Sequence, residues 1–267
     1  MIRRGARLAL ALAVLAAAAL PPAAHAARRA ELRVLAAASL AGAFGDLARA
    51  YERVHPDVIV RLQLAGSQQL AAQLDQGAPG DVFAAADERW MTHARAAGLV
   101  TGKPVEFARN RLVAIVPRTN PARLFGLHDL ARHGIRFVTA ADAVPVGHYT
   151  RVALANLSRD PAFGADFASR VLANVVSEEE NVRSIVGRVQ LGEADAGIVY
   201  RSDVTPSVAH YVTVYDIPEP ANVVASYPIA MLRRATRPDD AQAFVALVRS
   251  TYGRAVLAKW GFLPPAE

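Results

Sequence analysis

The feature that most constrains this chain is a strict alternation of two hydrophobic periods, repeated along almost its whole length. Leu32-Arg33-Val34-Leu35-Ala36-Ala37 reads as a strand. Apolar residues at Leu40, Ala43, Phe44, Leu47, Ala50, Tyr51 and Val54 then recur three and four apart, the spacing of one helix face. Val58, Val60, Leu62 and Leu64 alternate with Arg61 and Gln63 as a second strand, and a helix through Leu70 and Leu74 follows. Asp81 to Ala86 is a buried strand with Asp87 capping the next helix, and Leu112 to Val116 is another apolar strand closed by Pro117. A second cycle runs through a strand at Ile135–Val138, a helix from about Gly147 to Leu157, and a helix opened by Asp160-Pro161. It continues with a helix over Val182–Val189, strands at Ala196–Tyr200 and Tyr211–Tyr215, an extended stretch over Val223–Leu232 and two C-terminal helices. Strands separated by helices imply α/β architecture, with parallel or mixed sheets covered on both faces.

Two such cycles in 267 residues suit two lobes without a flexible linker. The expected division puts residues 27–112 and 226–267 in lobe 1 and 113–225 in lobe 2. Hinges are expected near 112–117 and 216–226. Residues 1–26 read as a cleavable export signal: Arg3, Arg4 and Arg7, an apolar run from Leu8 to Leu20, and Ala24-His25-Ala26 before the cut. The run is shorter than the ~20 residues of a spanning helix. Removing those three arginines leaves 27 basic against 24 acidic residues, a net +3 with no footprint for nucleic acid. Cys is absent, so neither a disulfide framework nor a lipid-modified Cys at the cleavage point is available. The expected product is exported to the periplasm, without a stable membrane anchor, and monomeric.

Catalytic motifs are missing: no H-E-x-x-H pair, G-x-S-x-G elbow, G-x-G-x-x-G fingerprint or Walker A loop occurs. Glu178-Glu179-Glu180 reads as the acidic first turn of the helix that follows. More informative are Ser39 and Ser67, which stand at equivalent strand-to-helix turns. Each alone is an ordinary N-cap. In an open parallel sheet, though, such turns gather at the carboxyl edge, where helix N-termini offer unpaired N–H donors to an anion. Pro145-Val146-Gly147 and Asn181-Val182 can supply two more N-termini from the second cycle.

Leu35-Ala36-Ala37-Ala38-Ser39-Leu40 resembles the A-A-A-S-L signature of the molybdate-binding proteins that serve ABC importers. The similarity continues in order through Ala65-Gly66-Ser67, Gly77-Ala78-Pro79-Gly80-Asp81-Val82-Phe83, Val144-Pro145-Val146-Gly147-His148-Tyr149, Glu180-Asn181-Val182-Arg183, Gly197-Ile198-Val199-Tyr200 and Trp260-Gly261-Phe262. Gly66 and Gln68 depart from it, standing where relatives often carry serines, and Val146 replaces a commoner Ala. The resemblance implies a two-lobed periplasmic solute-binding fold of type II that captures molybdate or tungstate for the membrane subunits of an importer, with no cofactor and no direct protein–metal ligand. It implies a ligand shell of Ser39 and Ser67 (hydroxyl and backbone N–H), Val146 and Val182 (backbone N–H) and Tyr200 (phenolic O–H). Such a shell holds only neutral donors, which match a fully deprotonated oxyanion. A binder of sulfate or another small anion is the alternative, and a periplasmic enzyme a remote one.

Overall fold

The computed structural model describes residues 29–266; the export signal expected over 1–26 lies outside them. Among the described residues no helix is long and apolar enough to cross a membrane.

The first half runs β1 (Ala30–Ala37), α1 (Ala41–Val54), β2 (Val58–Ala65), α2 (Ser67–Asp75), β3 (Val82–Ala84), α3 (Glu88–Ala96), β4 (Val100–Asn110) and β5 (Leu112–Pro117). It continues through β6 (Phe137–Ala140), α4 (Pro145–Leu157), α5 (Phe167–Ala173), β7 (Val175–Glu179), α6 (Val182–Gln190), β8 (Ala196–Tyr200), a short α7 (Pro206–Ala209) and β9 (Val212–Asp216). It closes with β10 (Ala225–Leu232), α8 (Pro238–Arg249) and α9 (Thr251–Lys259).

The strands form two five-stranded sheets of the same plan, β2-β1-β3-β10-β4 and β7-β6-β8-β5-β9. In each, three parallel strands lie to one side. An antiparallel pair completes each sheet, β10 with β4 in the first and β5 with β9 in the second. Those antiparallel strands are where the chain passes between sheets. β4 leads into β5 across the single residue Arg111, and β9 returns to β10 through residues 217–224. A strand arriving from the other sheet has no crossover helix to reverse it, so it enters antiparallel, and the alternation that predicts parallel pairing holds only for the three strands of each βαβ run.

The C-terminal helices pack on the first sheet's side. Phe244 of α8 meets Phe44 of α1 edge-on at 5.9 Å, Tyr51 donates to the Asp240 carboxylate at 2.8 Å, and the Trp260 indole donates to Asp46 at 2.9 Å. Aromatic pairs of this kind add ~0.5–1.5 kcal/mol each beyond their buried area. Here they continue inward as a file, Phe44 to Phe107 to Tyr227 to Tyr200, that ends at the cleft between the sheets.

Two local expectations are corrected, and one strand is added. Asp160-Pro161 does not open a helix: the Asp160 carboxylate accepts the N–H of Ala162 two residues on, closing a turn, and α5 starts only at Phe167. Glu178 and Glu179 end β7 rather than beginning a helix, because Asn181 is the N-cap of α6 and the acids precede it. Arg188 and Arg151 pair with them. Finally β4, eleven residues long, has no clean alternation: Gly102 and Pro104 interrupt it, and its register against β10 shifts twice.

Candidate functional site

The carboxyl ends of the parallel strands of both sheets face one cavity. Ser39 follows β1 in a tight 3-10 turn, Ser67 is the first residue of α2 after β2, and Ala86 follows β3. From the other sheet, Val146 lies in the first turn of α4 after β6, Val182 opens α6 after β7, and Tyr200 ends β8. All five residues proposed from sequence line this cavity, whose free space, mouth included, is about 220 Å³.

The polar groups around it are donors, and in two cases the structure shows why. Ser67 Oγ accepts the Ala86 N–H at 3.0 Å, so the serine's own proton is left for the cavity. Asn181 Oδ1 accepts the N–H groups of Arg183 at 3.0 Å and Ser184 at 3.2 Å, which leaves the first N–H of α6, that of Val182, for a ligand. In α4, Pro145 at the first position has no N–H, so the first donor that helix offers is Val146. Gly147 next to it is required by close approach: a Cβ there would fall 2.3 Å from the carbonyl oxygen of Ala140 and 2.2 Å from that of Ala141, so only glycine lets α4 start this near the end of β6.

Tyr200 is the most telling member. It is 1% exposed, and its hydroxyl has no hydrogen-bond partner. Burial pushes that hydroxyl well above the ordinary tyrosine range, so it is a neutral O–H that can only donate to an anion. A buried orphan hydroxyl costs ~1–3 kcal/mol. No Lys, Arg, Asp or Glu lines the cavity. A bound anion would be neutralised by helix N-termini and hydroxyls alone, a shell of the type that suits a charge spread over several oxygens.

Sequence reasoning missed the groups that join the two sides. Gln68 Nε2 donates to the Glu180 carbonyl oxygen at 2.8 Å and Gln69 Nε2 to the Glu180 carboxylate at 2.9 Å. A second set has the Trp90 indole donating to the Ala143 carbonyl at 2.8 Å and Arg89 to the Asp142 carbonyl at 3.1 Å. Gly66 belongs to the first set by its smallness: a Cβ there would lie 2.6 Å from the Glu180 carbonyl oxygen. These contacts bridge more than fifty residues of sequence, and no local pattern announces them.

Behind Ser39 a larger cleft of about 670 Å³ separates Gly42 and Trp260 from Arg183, Ser202 and Asp203. The Asp203 carboxylate accepts the Tyr200 N–H at 3.1 Å, and burial raises its pKa from 3.8 to about 7. A carboxyl whose folded value lies above its unfolded one holds an extra proton when folded, so stability falls as pH rises through the window between them. At ~1.4 kcal/mol per pH unit the window from 3.8 to about 7 caps the effect at roughly 4 kcal/mol. Asp203→Asn keeps the acceptor for Tyr200 and removes the titration. Its melting temperature is expected to exceed the wild type's at pH 8 and to match it at pH 4, read by thermal unfolding across that range.

A family model described as bacterial extracellular solute-binding protein matches residues 32–263. The molybdate-binding protein ModA of Mycobacterium tuberculosis is 40% identical over 232 residues, covering 87% of this chain and 84% of its own length. Among solved structures, the periplasmic molybdate-binding protein of Azotobacter vinelandii superposes with a TM-score of 0.75 at 20% identity, covering 88% of this chain and 100% of that one. The sulfate-binding protein SubI of Mycobacterium tuberculosis does so at 0.76 and 19%, covering 88% and 87%. At those identities the two structures speak for the fold.

Proposed function

The chain belongs to the bacterial extracellular solute-binding proteins, and from that premise we propose that it captures molybdate, or the near-isosteric tungstate, and delivers it to the membrane subunits of an ABC importer. The observation that carries this reading is the Tyr200 hydroxyl: buried, neutral and without a protein partner, at a cavity that four helix starts approach. The role is binding and release, in the periplasm, by a monomer without a cofactor. We place the hinge near 112–117 and 216–226, where the two crossings between the sheets, Arg111 and residues 217–224, lie or adjoin, with residues 226–267 returning to lobe 1.

The selectivity follows from donor type and size. Hydrogen phosphate carries a proton that would meet donors only, a conflict costing roughly 1–3 kcal/mol or more. Sulfate has no such proton, and its shorter bonds to oxygen leave the donors of one side or the other out of reach. Molybdate and tungstate fill the same space.

Isothermal titration calorimetry of the protein lacking residues 1–26, against molybdate, tungstate, sulfate and phosphate, tests the reading. The expected order is molybdate and tungstate tight, sulfate weaker and phosphate weakest. Tight sulfate with no molybdate overturns it. Ser39→Ala and Ser67→Ala are each expected to weaken molybdate binding by ~1–3 kcal/mol, about 5- to 150-fold. Wild-type affinity in both removes them from the site.

A further inference from the structure

Tyr227 does not line the cavity, yet it is the partner of a residue that does. It lies in β10, wholly buried, with Oη 2.9 Å from Ser39 Oγ. Distance alone does not say which hydroxyl donates. The group on the far side of Tyr227 does. Asn110, also wholly buried, has its amide fixed at both ends: Oδ1 accepts the Arg111 N–H at 3.0 Å, and Nδ2 donates to Ser202 Oγ at 2.8 Å. Nδ2 therefore faces Tyr227 Oη, at 3.5 Å, as a donor. With a donor on that side, the Tyr227 proton has one acceptor within reach, Ser39 Oγ. If Ser39 donated instead, a buried tyrosine proton would be left without a partner.

We propose that Tyr227 is a specificity-determining positioning residue: by donating to Ser39 Oγ it turns the Ser39 proton towards the cavity and denies that site a lone pair. The inference rests on the oxyanion reading above and deepens it. The polarity runs one way, from Asn110 through Tyr227 and Ser39 to the ligand. Ser67 is held in the same sense by the Ala86 N–H, a backbone donor that cannot be reversed. A ligand oxygen bearing a proton therefore finds no acceptor at either serine, and only oxyanions with every oxygen bare are admitted. Without Tyr227, Ser39 is free to rotate and present a lone pair, and a protonated oxyanion gains a place to donate.

Tyr227→Phe keeps the ring and removes only the hydroxyl. Titrations of wild type and variant with molybdate and phosphate at pH 7 read the ratio of the two affinities. Molybdate is expected to bind about three- to tenfold more weakly in the variant, and phosphate to bind more tightly, so that the ratio falls at least tenfold. Asn110→Ala, which removes the donor behind Tyr227, is expected to relax the same ratio by a smaller factor. Ser67→Ala serves as the contrast: it weakens molybdate with no gain for phosphate. An unchanged ratio in Tyr227→Phe, whether both affinities hold or fall together, overturns the assignment while leaving molybdate capture standing. A wild-type protein that binds none of the oxyanions overturns both.

Discussion

Tyr200→Phe is expected to weaken molybdate binding by about ten- to a hundredfold while the ligand-free protein becomes no less stable by thermal unfolding. The two effects have one origin. The Tyr200 hydroxyl has no hydrogen-bond partner in the protein, so deleting it costs the ligand-free fold no protein hydrogen bond. In the loaded site the same hydroxyl would bond a charged oxygen, worth ~1.5–3 kcal/mol, and its loss appears as affinity. Calorimetry and a melting curve on one pair of proteins check both signs. A variant that loses stability and keeps its affinity would mean that the hydroxyl serves the fold, and the binding site would have to be sought elsewhere.

Gly66→Ala is expected to lower molybdate affinity at least tenfold by a different route, preventing the two sides from meeting. The backbone at Gly66 (φ −61°, ψ 143°) is open to alanine, and on its own side the Cβ meets only the amide end of the Gln68 side chain, at 2.4 and 2.5 Å, which can swing away. The added Cβ would instead stand 2.6 Å from the Glu180 carbonyl oxygen across the cleft, and a carbonyl held between β7 and α6 cannot move aside as a flexible side chain would. The melting temperature of the empty protein should stay near the wild type's, as for substitutions that touch no core. Small-angle scattering should show compaction on adding molybdate in the wild type and little or none in the variant. Wild-type affinity with full compaction would show that closure does not bring Gly66 against Glu180.

Much of this arrangement is legible in the sequence because it is local. A strand that ends in small residues and runs straight into a helix start places Ser39 and Ser67 at a sheet's carboxyl edge. The Pro-Val-Gly and Asn-Val helix starts carry their own capping chemistry. Tyr200 is legible only through the family pattern, since a tyrosine at a strand end is ordinarily a core residue. The rest depends on contacts between residues far apart in the chain. Tyr227 meets Ser39 across 188 positions and Gln68 meets Glu180 across 112, so neither hydrophobic period nor motif spacing encodes them. β4 was hidden for another reason. Its place is secured by pairing with β10 over the lobe's length, which overrides the poor strand character of Gly102 and Pro104.

The bonds from Gln68, Gln69, Arg89 and Trp90 to the opposite side share one property: none involves the ligand. If the two sides part and meet about the crossings between the sheets, these bonds would favour the shut form whether or not cargo is inside. Such a clasp raises apparent affinity, because less of the binding energy goes into shutting an open protein. It would also set a rate of false delivery, were the importer to recognise the shut form, because an empty carrier would dock as often as the clasp alone holds it closed. The Tyr200 hydroxyl would work against that error. It has no protein partner and would gain one only from an anion, so on the oxyanion reading the clasp and this hydroxyl together would tie closure to cargo.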